Sequence, residues 1–94
     1  MKLFGLIRII DENLYRAYLS KVQDTLKPYA GKVIDRGGRG ACLWDELEIG
    51  RFETYVILEF PNRESAIAWA GSDAYRTILS IRQAAMQLTL FELT

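Results

Sequence analysis

The chain contains no histidine and a single cysteine, Cys42. Schemes in which imidazole activates a serine or cysteine are therefore closed to it, as are metal and haem sites ligated by histidine. Proton transfer would fall to carboxylates and phenols. Glu59 is the best candidate base: it ends the run "YVILE", where an ionised carboxylate among apolar neighbours needs a partner or a raised pKa. Anion recognition would fall to arginine, whose planar guanidinium grips a carboxylate with two parallel hydrogen bonds. Arg36 sits in "IDRGG", and Arg82 follows Tyr75 by two helical turns, on the same helical face. Cys42 has no base to activate it and reads as a small buried residue. No set of carboxylates has a divalent-metal arrangement. "RGGRG" at 36–40 lacks both the spacing and the strand-to-helix context of a phosphate loop. Neither a metal nor a cofactor is expected.

These residues are only as useful as the elements that carry them. "LFGLIRII", 3–10, is apolar on both parities and reads as a strand buried on both sides. Asp11 is a good N-cap, with Ile10 and Tyr15 at the positions of a hydrophobic staple. Leu14, Tyr15, Tyr18, Leu19, Val22 and Leu26 then recur at helical spacing, and Pro28 and Gly31 mark the end. Val33 and Ile34 begin a second strand, which Gly37, Gly38 and Gly40 interrupt and "ACLW" resumes; the charged stretch 45–53 reads as a hairpin loop. "YVILEFPN", 55–62, is the third strand. Asn62 caps a short helix carrying Ala66, Ile67, Trp69 and Ala70; Gly71 breaks it, and Ser72 caps a second one with Tyr75, Ile78, Leu79 and Arg82 on one face. "MQLTLFEL" closes the chain as an alternating strand.

The order β-α-β-β-α-β over 94 residues predicts a single α+β domain, 1–94, of ferredoxin-like plan, with an antiparallel four-stranded sheet in the order 4-1-3-2 and its helices on one face. The helices cover one side only. On the third strand, Val56, Leu58 and Phe60 take one face and Tyr55 and Ile57 the other. On the first and last strands both parities are apolar as well, so no register leaves the second face polar. An apolar patch of that extent exceeds what a monomer tolerates. A second copy packed through the sheet face, giving a homodimer and a dimeric α+β barrel, is the predicted solution, because no segment remains to cover the face from within. The chain has 12 Lys plus Arg and 12 Asp plus Glu, a balance that argues against a nucleic-acid partner. No run is long enough to span a membrane, so a cytoplasmic protein is expected.

"AGKVIDRGG" at 30–38, "YVILEFP" at 55–61, Trp69, "SDAY" at 72–75 and Arg82 together resemble the family known as domain of unknown function 1330, over almost the whole chain. The resemblance implies the dimeric α+β barrel fold. It implies no activity: the wider superfamily spans cofactor-independent quinone-forming monooxygenases, lactone isomerases and haem enzymes, and fold kinship does not transmit chemistry. The chain departs from the family pattern at Ala70, where an aromatic is common, at Asp73, inside "S-x-x-Y" where proline is common, and at a final strand without the usual glycine. The first departure would widen a pocket beside the second helix.

In this topology Arg8, Arg36, Tyr55 and Arg82 fall toward one end of the sheet, where they could orient an anion; the competing reading pairs the arginines with Asp35, Glu59 or a partner's carboxylates. Glu59 falls at the other end, which favours a structural role for it. Two functions follow. One is a cofactor-independent enzyme acting on a small hydrophobic or anionic molecule, bound between helices and sheet by Arg36, Tyr55, Trp69, Tyr75 and Arg82, with Glu59 as the candidate catalytic group. The other is a non-catalytic ligand-binding or assembly module, in which Trp69 and Tyr75 fill that space.

Overall fold

A computed structural model describes all 94 residues. The elements are β1 (Lys2–Ile9), α1 (Glu12–Leu26, running into a 3-10 turn Lys27–Tyr29), β2 (Lys32–Gly38), β3 (Thr54–Glu59), α2 (Arg63–Ala70), α3 (Asp73–Ala85) and β4 (Met86–Leu93). All three α-helices begin at a side chain that satisfies a free backbone N–H. Asp11 Oδ1 accepts from Leu14 N at 3.0 Å, Asn62 Oδ1 from Ser65 N at 2.8 Å and Ser72 Oγ from Tyr75 N at 3.1 Å. Ile10 forms no staple; it is exposed.

The strands form one antiparallel sheet in the order β2-β3-β1-β4. Alternation assigns the two sides. Ile7, Val56, Leu58, Phe60 and Met86 face the helices. There they meet Tyr15, Tyr18, Val22 and Leu26 of α1, Ala66 and Trp69 of α2, and Tyr75, Ile78 and Ala85 of α3. This is the ferredoxin-like α+β arrangement, with helices on one face.

The barrel is not present. β2 and β4 are the two edges and do not pair with each other, so the sheet is open. The dimeric α+β barrel expected from the resemblance and from the apolar second face is thereby corrected: the ladder ends at β2 and β4 and does not curl round to close.

The second face carries Phe4, Leu6, Tyr55, Ile57, Phe91 and Leu93. Phe4 packs edge-on against Phe91 (centroids 5.6 Å apart) and at a tilt against Tyr55 (6.1 Å). One end of this face is covered from within, contrary to expectation. "ACLW" does not resume a strand, because residues 39–53 leave the sheet as a loop. Arg8 ties that loop down: its Nε donates to Arg51 O at 2.6 Å and its Nη2 to Ile49 O at 3.1 Å. Asp45 braces the loop from inside, its carboxylate accepting from Ile49 N and Gly50 N, both at 2.9 Å. Those two backbone donors also hold the Asp45 carboxyl below its ordinary pKa. Cys42, expected to be buried, is exposed on this loop. So are Leu43, Trp44 and Leu47, each at least 79% accessible. Trp44 is therefore not packed within the chain.

A β-bulge decides which residues of β2 reach the core side. Val33 pairs with Leu58, but the next partner of β3, Ile57, pairs with Asp35, so Ile34 is the extra residue. The inserted residue resets the alternation. Val33 and Arg36 both turn toward the helices, Arg36 opposite Val56, while Asp35 and Gly37 turn to the open face.

Candidate functional site

A cavity of about 40 Å³ lies between the helices and the sheet. Twelve of its 13 lining residues are hydrophobic, among them Tyr18, Leu19 and Val22 of α1, Trp69 of α2, and Ile7 and Leu88 of the sheet. The remaining one is Arg36, which is exposed and so stands at the rim. The volume suffices for a water or two, which need roughly 10–15 Å³ each on such a measure. It is well short of the roughly 300 Å³ at which drug-sized sites begin.

Behind the cavity wall runs a polar chain. Trp69 is buried, donates from Nε1 to Thr25 Oγ1 at 3.0 Å, and stacks edge-on against Tyr75 with centroids 4.8 Å apart. The Tyr18 and Tyr75 hydroxyls are 2.8 Å apart, and Arg82 Nη1 donates to Tyr75 Oη at 3.1 Å with its guanidinium over the Tyr75 ring. Burial pushes the Tyr18 phenol far above its ordinary pKa, with the Tyr75 hydroxyl adding to the shift and Arg82 opposing it. Tyr15 is also raised by burial, against the opposing charge of Arg36.

The candidates named from sequence therefore separate. Arg36, Trp69, Tyr75 and Arg82 lie on the helix side. Tyr55 lies on the open face, where its hydroxyl donates to Asp35 Oδ2 at 3.2 Å; that bond raises the phenol's pKa. Arg8 is on the open face too, spent on the loop and on Gln87 Oε1. Glu59 pairs with Lys32 at 3.6 Å, far from the tyrosine chain. Tyr18 was not singled out, because its place on the apolar stripe of α1 made it look like any core aromatic. The available signal was chemical: a buried tyrosine needs a partner for its hydroxyl. Ala70 lines a separate groove of about 260 Å³ beside α2, with Ala66, Ile67, Leu90 and Phe91, where a larger side chain at position 70 would intrude.

Residues 3–93 match the family model "Domain of unknown function (DUF1330)". The chain belongs to this family. No curated protein matches it. Several crystal structures resemble the DUF1330 chain in fold. A protein of unknown function from Rhodopseudomonas palustris has a TM-score of 0.76 at 19% identity, over 99% of this chain and 81% of that one. SnoaB, described as a cofactor-independent oxygenase from Streptomyces nogalater, has a TM-score of 0.61 at 7% identity, over 99% and 91%. A dimeric ferredoxin-like protein of unknown function from Thermobifida fusca has a TM-score of 0.56 at 15% identity, over 98% and 89%. At these identities the likeness concerns fold alone. No helix of the DUF1330 chain is long and apolar enough to cross a membrane.

Proposed function

We propose that this chain is a homodimeric protein that takes a small, largely apolar molecule bearing an anionic or carbonyl oxygen into the space between helices and sheet, and acts on it with its own side chains, without a cofactor. The observation that carries this reading is the lining of the cavity: apolar throughout, with one guanidinium, Arg36, at the rim. An apolar pocket with few, convergent polar groups is the usual form of a small-molecule site. Arg36 orients the anion, Trp69 forms the wall, and Tyr75 and Arg82 stand behind it. Tyr55 and Glu59, on the open face, are separated from this cavity by the sheet and stay outside the proposed site. The description of SnoaB as a cofactor-independent oxygenase makes aromatic oxygen compounds a reasonable first set of probes.

The small cavity volume favours a second reading, the non-catalytic module in which Trp69 and Tyr75 hold this space closed. The two readings part in a thermal-shift screen of quinones and small carboxylates, run on a Cys42→Ser chain so that quinones do not alkylate the exposed thiol. A ligand at 100 times its Kd stabilises by about 2.7 kcal/mol, which raises Tm by about 10 °C or more in a domain of this size. A ligand site in this space expects such a rise, with the carboxylate response lost in Arg36→Ala, and conversion of the bound compound followed by absorbance then separates an enzyme from a binder. No rise with either class leaves the module.

The partner proposed for the open face is a second copy of this chain. Four strands at about 4.8 Å and about seven residues of length give roughly 500 Å² of flat face. A standard interface takes about 800 Å² from each partner. Leu43, Trp44 and Leu47, exposed on the loop that borders this face, supply apolar surface toward the difference. Light scattering at micromolar concentration is expected to return twice the chain mass of 10.8 kDa, and Ile57→Asp, which places a charge mid-face, to return the mass of one chain. A lone-chain mass for the unmodified protein would end this proposal.

A further inference from the structure

The polar chain behind the cavity has one proton too many. A guanidinium only donates, so the Tyr75 oxygen accepts from Arg82 Nη1 at 3.1 Å. The bond between the two phenols, 2.8 Å long, consumes one of their two protons. The other proton has no acceptor among the protein's own groups. Tyr18 and Tyr75 are only 7% and 4% exposed, and a buried donor left unmatched is costly. Arg82 draws electron density from the Tyr75 oxygen, which makes the Tyr75 O–H the stronger donor and Tyr18 the acceptor within the pair. The spare proton then belongs to Tyr18, the member of the pair that lines the cavity.

We propose that Tyr18 donates this proton in a hydrogen bond to an acceptor oxygen of the bound molecule, a ketone, quinone or similar carbonyl, with Tyr75 and Arg82 as positioning residues that fix the direction of the chain. The proposal rests on the cavity reading above and narrows it: the ligand must bring an oxygen lone pair to a wall that is otherwise hydrocarbon. Burial keeps the Tyr18 phenol protonated at any ordinary pH, which suits a donor and not a base.

Acetophenone and ethylbenzene are near shape-mates that differ in the carbonyl, and neither alkylates the protein. Either probe is larger than the cavity of about 40 Å³ and binds only if the cavity widens; acetophenone is then expected to bind the full chain about tenfold more tightly than ethylbenzene, the scale of one net hydrogen bond. Its C=O stretch is expected to move to lower frequency on binding. Tyr18→Phe is expected to erase both the preference and the frequency shift while leaving ethylbenzene affinity unchanged, which also reports that the variant is folded. Equal affinity for the two probes in the unmodified chain would overturn the Tyr18 assignment and leave the cavity reading intact. So would a preference that survives Tyr18→Phe but disappears in Tyr75→Phe, since the spare proton would then sit on Tyr75. Failure of both probes to bind would instead remove the cavity reading, and this one with it.

Discussion

Trp69→Ala is expected to destabilise the fold by about 3–5 kcal/mol, the range for deleting a large aromatic from a packed core. Trp69 is 2% exposed. Its ring lies 5.4 Å from Phe60 and 4.8 Å from Tyr75, so it joins the sheet to both short-loop helices α2 and α3. Its Nε1–H is satisfied by Thr25 of α1, so a single side chain of α2 reaches two other helices and the residue that follows β3. Truncation leaves a hole that Phe60 and Tyr75 cannot close, because Tyr75 is held at its other end by Tyr18 and Arg82. In a domain of this size the loss amounts to a fall in Tm of about 12 °C or more. Urea denaturation followed by Tyr fluorescence measures it; a loss under about 1 kcal/mol would show that the tryptophan does not hold this corner.

Gly31→Val is expected to cost about 3 kcal/mol, at the upper end for overpacking. A Cβ at position 31 would stand 2.4 Å from Phe60 Cε1, 2.8 Å from Phe60 Cζ and 3.0 Å from Leu26 Cδ2. Both neighbours are among the most deeply buried side chains of the protein, so neither has solvent to retreat into. The chain returns from α1 into β2 at this glycine, and close approach of backbone to the Phe60 ring is what lets the helix lie flat on the sheet. Gly40→Ala is the control: a Cβ there meets nothing within 4 Å, and its effect should stay within about 0.5 kcal/mol. Equal effects at the two positions would mean that the Phe60 ring yields.

The parts of this fold that could be read from sequence are those governed by a period. Tyr15, Tyr18, Val22 and Leu26 recur at helical spacing and are buried, and the three capping residues sit where the helices start. Strand order followed from chain order. What escaped was set by tertiary contacts. The bulge at Ile34 has no local signature beyond nearby glycines, yet it moves Arg36 to the helix side while Tyr55 stays on the other, so residues that share an end of the sheet do not share a site. The loop 39–53 carries apolar residues that resemble a strand, and its actual course depends on Arg8, more than 40 positions away in sequence from Ile49 and Arg51. The Tyr18–Tyr75 pair joins α1 to α3 across 57 residues. Each tyrosine fits its own helical stripe, and nothing in either stripe names the other.

The extra residue in β2 also makes the sign of the cavity's rim a property of stagger. Were the ladder to run on regularly from Val33 through Ile34, Asp35 would fall opposite Val56 and Arg36 opposite Tyr55. The same letters would then offer the ligand a carboxylate in place of a guanidinium. A bound anion would therefore act as a clamp on strand slippage, favouring the kinked alignment over the regular one by its difference in affinity for the two. Amide exchange along Lys32–Gly38 would slow on ligand binding, even at residues the ligand never touches.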